Sequence, residues 1–447
     1  MKINLLFKPA VAVAVMAMFG AAANGALAAG FALNEQSVSG LGVAFAGGAA
    51  SGEDASTVFY NPAAMTRISG TQAVVGIHGI LPDASFTNQG SFTVGGPLTG
   101  SNGGDLAKSV GVPNFYLVTD INPNIKYGFG ISVPFGLTTA YDGNWVGRYQ
   151  ALKSEIKTVN LNPSLAYKVN DRISVGAGFN AQYINAELSN ALDFSTICLG
   201  QLGPAVCGAL GLGVPQTRDG AVNLSGNDWS FGYNLGVLFQ LPTDTRVGLA
   251  YRSKVHQTIV GNASFTNVPA AFATNPRFQS GGIKASVTLP DSMSLSVVQG
   301  VGDRWELLSD VTFTRWSYFN ELRVHFDNGV APDAVTVENW RNTFRASIGA
   351  TYRYSDALKL RGGIGFDQSP VRGAFRTARI PDNHRKLLAA GANYKVSKAG
   401  SVDFAYLRLF ANDSAINNKQ LATGGGQLIG NYTLDVNILS LQYNHNF

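Results

Sequence analysis

Charge is scarce in this chain: Asp, Glu, Lys and Arg make up 14% of its 447 residues, against roughly 25% in an ordinary soluble domain. There are two cysteines and five histidines, too few and too scattered for a clustered metal centre. The formal net charge is only +5, and no basic stretch concentrates it, which argues against a nucleic-acid partner. Beyond the N-terminus no run of eighteen apolar residues occurs, so helical membrane spans are excluded. Disorder is excluded as well, because 45% of the chain is hydrophobic and 11% aromatic, whereas disordered segments lack such residues. Glycine, by contrast, is over-used, with 52 residues where the usual share is roughly 7%. What remains is a large, glycine-rich, weakly charged β protein.

The N-terminus carries the parts of a secretory signal in order. Lys2 and Lys8 flank the start of an apolar stretch over residues 9–19, and Ala26-Leu27-Ala28 supplies a small-residue cleavage site, which predicts a signal peptide over residues 1–28. In an exported chain, the close spacing of Cys198 and Cys207 favours one structural disulfide rather than a metal site. No cofactor is expected. No Gly-x-Ser-x-Gly elbow and no metal-spaced histidine pair occurs, so the chain does not read as an enzyme.

From about residue 70 onward, apolar and polar residues alternate with a period of two, as a strand with two unlike faces requires. Phe231, Tyr233, Leu235, Val237 and Phe239 alternate with Ser230, Gly232, Asn234, Gly236 and Gln240, and Phe344, Ala346 and Ile348 with Arg345, Ser347 and Gly349. The polar faces are rich in Gly, Ser, Asn and Arg, and the apolar faces end in aromatics such as Tyr167, Tyr251, Tyr352 and Tyr443. That combination fits strands with lipid outside and a polar lumen inside. Links alternate between tight turns, at residues 241–244 and 354–356, and long ones, expected over residues 189–228 and 257–280. Short periplasmic turns and long external loops have the same alternation. The expected fold is all-β, a transmembrane antiparallel barrel of about fourteen strands. The strands are placed starting near Thr71, Lys108, Asn124, Ser154, Arg172, Asp228, Thr245, Gly281, Arg304, Trp340, Ala357, Arg385, Ser401 and Asn431. Residues 71–447 form the barrel in this reading, and residues 29–70, dense in small residues and without alternation, form a hatch inside it. The last strand ends on Phe447, which is expected to anchor the interface and to engage the barrel-assembly machinery.

The chain resembles the FadL/TodX family of outer-membrane transporters for long-chain fatty acids and other hydrophobic compounds. The likeness runs from Ala29-Gly30-Phe31-Ala32-Leu33-Asn34-Glu35 through Ser39-Gly40-Leu41-Gly42 and Asn61-Pro62-Ala63. It resumes at Trp145-Val146-Gly147-Arg148-Tyr149, Asp367-Gln368-Ser369-Pro370-Val371 and Ile380-Pro381-Asp382-Asn383, and ends at Phe447. The resemblance implies a Gram-negative outer-membrane location and uptake of long-chain fatty acids, with monoaromatic or alkane hydrocarbons as the alternative cargo. A general porin is disfavoured by the hatch and an outer-membrane hydrolase by the missing motifs.

It also implies a route. The ligand is captured by an apolar external loop, where Phe194, Leu199, Leu202 and Leu210 lie near the two cysteines. It passes the hatch at Gly30, Phe31, Leu33, Asn61, Pro62 and Ala63. It leaves sideways at Pro134-Phe135-Gly136, where proline removes a ladder donor in the third strand. Arg148, Arg341 and Arg345 are the head-group candidates, because guanidinium pairs bidentately with carboxylate; the lysine that relatives use for this falls near Thr336 here. Expected partners are the hydrophobic small molecule, outer-membrane lipid and lipopolysaccharide, with the protein acting as a monomer.

Overall fold

The computed structural model describes residues 30–421 and 424–447; the expected signal peptide and Ala29 lie outside the described residues. A closed antiparallel barrel of 14 strands surrounds an internal segment. Its strands are β1 (Gln72–Asn88), β2 (Val110–Asn122), β3 (Ile125–Ser132, resuming as Gly136–Ala140), β4 (Lys153–Lys168), β5 (Ile173–Asp193), β6 (Asp219–Leu241) and β7 (Thr245–Arg252, resuming as Val255–Thr266). They continue with β8 (Gly281–Leu289 and Ser292–Val301), β9 (Trp305–Thr314 and Glu321–Phe326), β10 (Ala334–Val337 and Thr343–Arg353), β11 (Leu358–Asp367), β12 (Arg385–Lys395), β13 (Gly400–Ala411 and Ser414–Gln420) and β14 (Gly426–Asn446). Each strand pairs with its sequence neighbours, and β1 pairs with β14 from Gln72↔Asn446 to Asn88↔Gly430, which closes the wall. Closure removes the free sheet edges that a membrane would leave unsatisfied.

Alternation decides which face meets lipid. On β14, Leu439, Leu441 and Tyr443 are exposed while Ser440, Gln442 and Asn444 are buried; on β6, Phe231, Tyr233 and Leu235 point out and Asn234 points in. Tyr167, Trp305, Tyr354, Tyr394, Tyr443 and Phe447 stand exposed at the short-turn end, forming an aromatic girdle of the kind found at membrane interfaces. No helix among the described residues is long and apolar enough to cross a membrane, so the strands alone do so.

Two expected long links are shorter than the composition suggested. β5 runs to Asp193 and β6 restarts at Asp219, not near Asp228, while β7 continues to Thr266 through residues expected to be loop. The reason is mutual pairing: residues 221–227 of β6 hydrogen-bond residues 260–266 of β7, and partners across a ladder hold strands whose Gly, Asn and Ser content reads as loop. Likewise β10 begins at Ala334 rather than Trp340, and β14 at Gly426 rather than Asn431.

Residues 30–68 fill the lumen with two short helices, α1 (Val38–Leu41) and α2 (Thr57–Tyr60), and a 3-10 turn over Pro62–Arg67. Small residues face the wall: Val43, Ala46, Ala50, Ala63 and Ala64 pack with Leu238, Val298 and Leu308. Asn61 pins this segment, because its Nδ2 donates to Ala49 O (2.6 Å) and to Val237 O of β6 (3.1 Å), while its Oδ1 caps Ala63 N. The neighbouring wall position must be glycine, since a Cβ on Gly236 would overlap the Asn61 amide. On the far side, Glu53 accepts from Lys359 Nζ (2.6 Å) and Arg361 (2.7 Å), and Arg361 also donates to Asp403 (2.6 Å). Burial alone would raise the Glu53 carboxyl, but Arg361 and Lys359 outweigh it and hold it well below the usual carboxylate range. A depressed folded value means that the pairing stabilises the seat at neutral pH and is lost only as pH falls through that value.

Gly236→Ala is expected to destabilise the seated hatch by about 1–3 kcal/mol through overpacking. The check is the temperature at which the folded, heat-modifiable form is lost on a gel; an unchanged midpoint would show that the seat adapts.

Candidate functional site

The third strand is interrupted where Pro134 stands. β3 pairs with β2 only as far as Phe115↔Ile131, and its upper piece, Gly136–Ala140, pairs with β4 alone. Residues 110–114 of β2 therefore have β1 on one side and no β3 partner on the other. A strap of residues 30–33 bonds from inside to the interrupted piece of β3: Leu33 N donates to Pro134 O (2.9 Å), Gly136 N to Phe31 O (2.9 Å), and Ala32 bridges Phe135. Gln36 Nε2 adds a bond to Val133 O (2.8 Å). From β4, Thr158 Oγ1 donates to Phe135 O (2.6 Å) and accepts from Phe135 N (3.0 Å). All of residues 133–136 are buried.

The Phe31 side chain is fully buried in an aromatic cage. Its ring lies 4.8 Å from Trp316, 5.5 Å from Trp340, 5.7 Å from Phe319 and 6.0 Å from Phe135. The cage stands where β9 and β10 break off, at a 3-10 turn over Trp316–Tyr318 and over residues 338–342. An inward-folded loop over residues 368–384 holds the start of this strap, with Asp382 Oδ2 accepting from Gly30 N (2.9 Å) and from Ser369 Oγ (2.6 Å).

Next to the cage lies a chamber of about 110 Å³. Hatch residues Leu33, Asn34 and Tyr60, the break at Pro134 and Phe135, Arg252 of β7, and Arg345 of β10 line it together with serines and threonines of β8 and β9. Of the three expected head-group arginines, only Arg345 lines this chamber, and it is bonded to Asn34 and to Asp310 (3.3 Å). Arg148 is held elsewhere, donating to Asp219 (2.7 Å), Thr99 O (2.6 Å) and Tyr149 OH (2.7 Å). Arg341 donates to Ser369 O (3.1 Å) and contacts His384 Nε2 (3.0 Å). Thr336 pairs with Leu322 in the outer piece of β10.

Outside the barrel, Asp193 caps α3 (Phe194–Ala209) by accepting from Thr196 N, and a Gly203-Pro204 break divides the helix. Cys198 and Cys207 are bonded to each other. Phe194 is buried against Phe272 and Phe278, and Leu199 packs against the same small core. Leu202, Val206, Leu210 and Val214 are exposed. The apolar loop thus divides into residues that hold it together and residues offered to the outside. Trp316, Phe319, Trp340 and Arg252 were not singled out in the sequence; the first three sit where strand alternation lapses, which is the signal that marks them.

A plugged fourteen-stranded barrel with lipid-facing strands and an apolar external surface is an outer-membrane transport protein in form. Residues 19–447 match the family of outer membrane protein transport proteins (OMPP1/FadL/TodX), and the chain belongs to that family. It is located in the outer membrane of a Gram-negative bacterium. It is 33% identical over 433 residues to the long-chain fatty acid transport protein of Escherichia coli K12, covering 93% of this chain and 94% of that one. It is 31% identical over 457 residues to outer membrane protein P1 of Haemophilus influenzae, covering 95% and 97%. The structure of a Pseudomonas aeruginosa FadL homologue superimposes with a TM-score of 0.85 at 26% identity, covering 94% of this chain and all of that one. The Pseudomonas putida toluene transporter TodX shares the fold, with a TM-score of 0.66 at 18% identity over 91% of this chain and 98% of that one.

Removing the ring that fills the cage should report directly on it. Phe31→Ala is expected to red-shift the tryptophan emission and to make Trp316 and Trp340 accessible to a neutral quencher. Unchanged emission and quenching would show that the cage closes without Phe31.

Proposed function

We propose that this protein takes up long-chain fatty acids by capture at its external helix, passage through the aromatic cage, and release sideways at the β3 interruption. The observation that carries the reading is the bonding of residues 30–33 to the interrupted piece of β3, beside a stretch of β2 that has no β3 partner. Backbone groups facing lipid must be satisfied, and here the groups at Pro134 and Gly136 bond to a strap that is not part of the wall. Withdrawing the strap removes Phe31 from the cage and uncovers the break in one movement. An acyl chain fits a cage of aromatic rings, and its carboxylate fits a chamber lined by arginine and hydroxyl groups.

The exposed Leu202, Val206 and Leu210 provide the collecting surface, larger than scattered surface residues explain. Asn61-Pro62-Ala63 acts as the fixed part of the hatch, and Phe447, with its N–H bonded to Thr71 O (2.9 Å), serves both as an interface anchor and as the recognition point in barrel assembly. The transporter works as a monomer among lipid and lipopolysaccharide, drawing on the ligand gradient and on consumption downstream.

The test is uptake of labelled oleate, with toluene in parallel, by a Gram-negative host lacking its own transporter. Oleate uptake supports the reading; toluene uptake alone overturns it in favour of a hydrocarbon channel. Pro134→Val combined with Gly136→Val restores strand-forming residues and is expected to lower oleate uptake at least severalfold while the barrel stays heat-modifiable. Normal uptake in that folded variant would exclude the side exit. Leu202→Ser with Leu210→Ser, which spares the loop's own core, should slow uptake at low oleate concentration and not at saturation; no change at any concentration would remove the helix from the pathway.

A further inference from the structure

We infer that Arg252 is the cation that receives the carboxylate of the ligand in the chamber beside the cage; this rests on the transport reading above. Arg252 and Arg345 both line the chamber, but Arg345 is paired with Asp310. Its guanidinium donates to Asn180 Oδ1 (2.6 Å) and to Phe59 O (2.8 Å), and it stacks over the Phe59 ring at 4.2 Å. Both acceptors are neutral, and no carboxylate lies within salt-bridge distance among the described residues.

Three other lumen arginines are paired with acids. Arg345, also on the chamber wall, is paired with Asp310 at 3.3 Å, Arg246 with Glu306 at 2.6 Å, and Arg361 with both Glu53 and Asp403. A desolvated charge without a counterion is costly, and the cost is relieved when an anion binds. Two of the five guanidinium N–H groups are used, so a bidentate pair remains for a carboxylate.

The position agrees with the head group of an acyl ligand, because Arg252 and the hydroxyls of Ser292, Ser294, Thr312 and Thr314 line the chamber together. The acyl chain would extend into the adjoining cage that Phe31 now fills. A polar lining continues toward the exit, because Asn180 Oδ1 also accepts from Asn160 Nδ2 (3.0 Å), and Asn160 pairs with Ser132 at the last residue before the β3 break. Arg252 therefore makes the site selective for amphiphiles that carry an anionic head over hydrocarbons of the same shape.

The test compares binding of oleate and oleyl alcohol to the purified, detergent-solubilised protein and to its Arg252→Gln and Arg252→Lys variants. Arg252→Gln is expected to raise the oleate Kd about 10- to 100-fold, the range for removing a charge-assisted bond, and to change the oleyl alcohol Kd by less than about threefold. Arg252→Lys should recover most of the loss. Equal weakening of both ligands, or an unchanged oleate Kd, would overturn the assignment. Phenylglyoxal modification of the wild-type protein gives a second measure that needs no variant. Oleate, and not oleyl alcohol, should protect the peptide containing Arg252, and absence of that protection overturns the assignment even where Arg252→Gln fails to fold. Wild-type protein that binds both ligands equally would overturn this assignment alone. Protein that binds neither would overturn the transport reading, and this one with it.

Discussion

The backbone of a membrane barrel has to find its hydrogen bonds within the wall, because lipid offers none. At β3 this chain departs from an unbroken ladder. Pro134 lacks an N–H, residues 110–114 of β2 have no β3 partner, and the interrupted piece of β3 is bonded from inside by the strap at residues 30–33, through Pro134 O and Gly136 N. The same short strap carries Phe31 into the cage. The bonds at the break and the ring in the cage therefore belong to one short segment.

The remainder of the hatch is attached at other places. Asn61 bonds to a wall carbonyl and requires a glycine opposite it, and Glu53 joins Lys359 and Arg361 across to Asp403. These attachments are charged or buried and lie on several strands. The strap has only neutral backbone bonds and apolar ring contacts, apart from Gly30 N on Asp382. Neutral bonds contribute less each than charge-assisted ones, and the charged attachment at Glu53 lies on the body of the hatch and not on the strap.

Much of this was legible in the residues. Period-two alternation with polar glycine-rich faces gave the barrel and its lipid-facing side, and most strand starts fell within a residue or two, as at Thr245, Gly281 and Arg385. The misplaced starts, at Asp219, Ala334 and Gly426, share a cause: each segment is held as strand by its partner across the ladder, which the local sequence does not reveal. Pro134 could be read as a break because a closed barrel has no edge to hold it. What was not legible was which arginine faces the interior site. Arg148 and Arg345 occupy equally suggestive surroundings in sequence, and only the fold brings Asp219 to the first, Asp310 to the second and no acid to Arg252. Pairing among residues far apart in the chain is set by strand register, which local patterns do not encode.

The interior site is divided as its cargo would be. The cage is built from rings and excludes water, while the chamber beside it is built from hydroxyls, amides and guanidinium. A uniformly apolar cavity would hold an acyl chain as firmly as burial allows, and a ligand held that way would have no reason to move on. Under the proposed route, splitting the site ties affinity to a head group that a short path of asparagines can pass toward the break, so the tail would lose only one set of contacts at a time. The β3 break lies at the level of that polar path, and in the proposed side exit the lipid beyond it would replace the cage as the tail's apolar surroundings. Exchange of one apolar environment for another costs little, so the proposed release would need no energy source of its own.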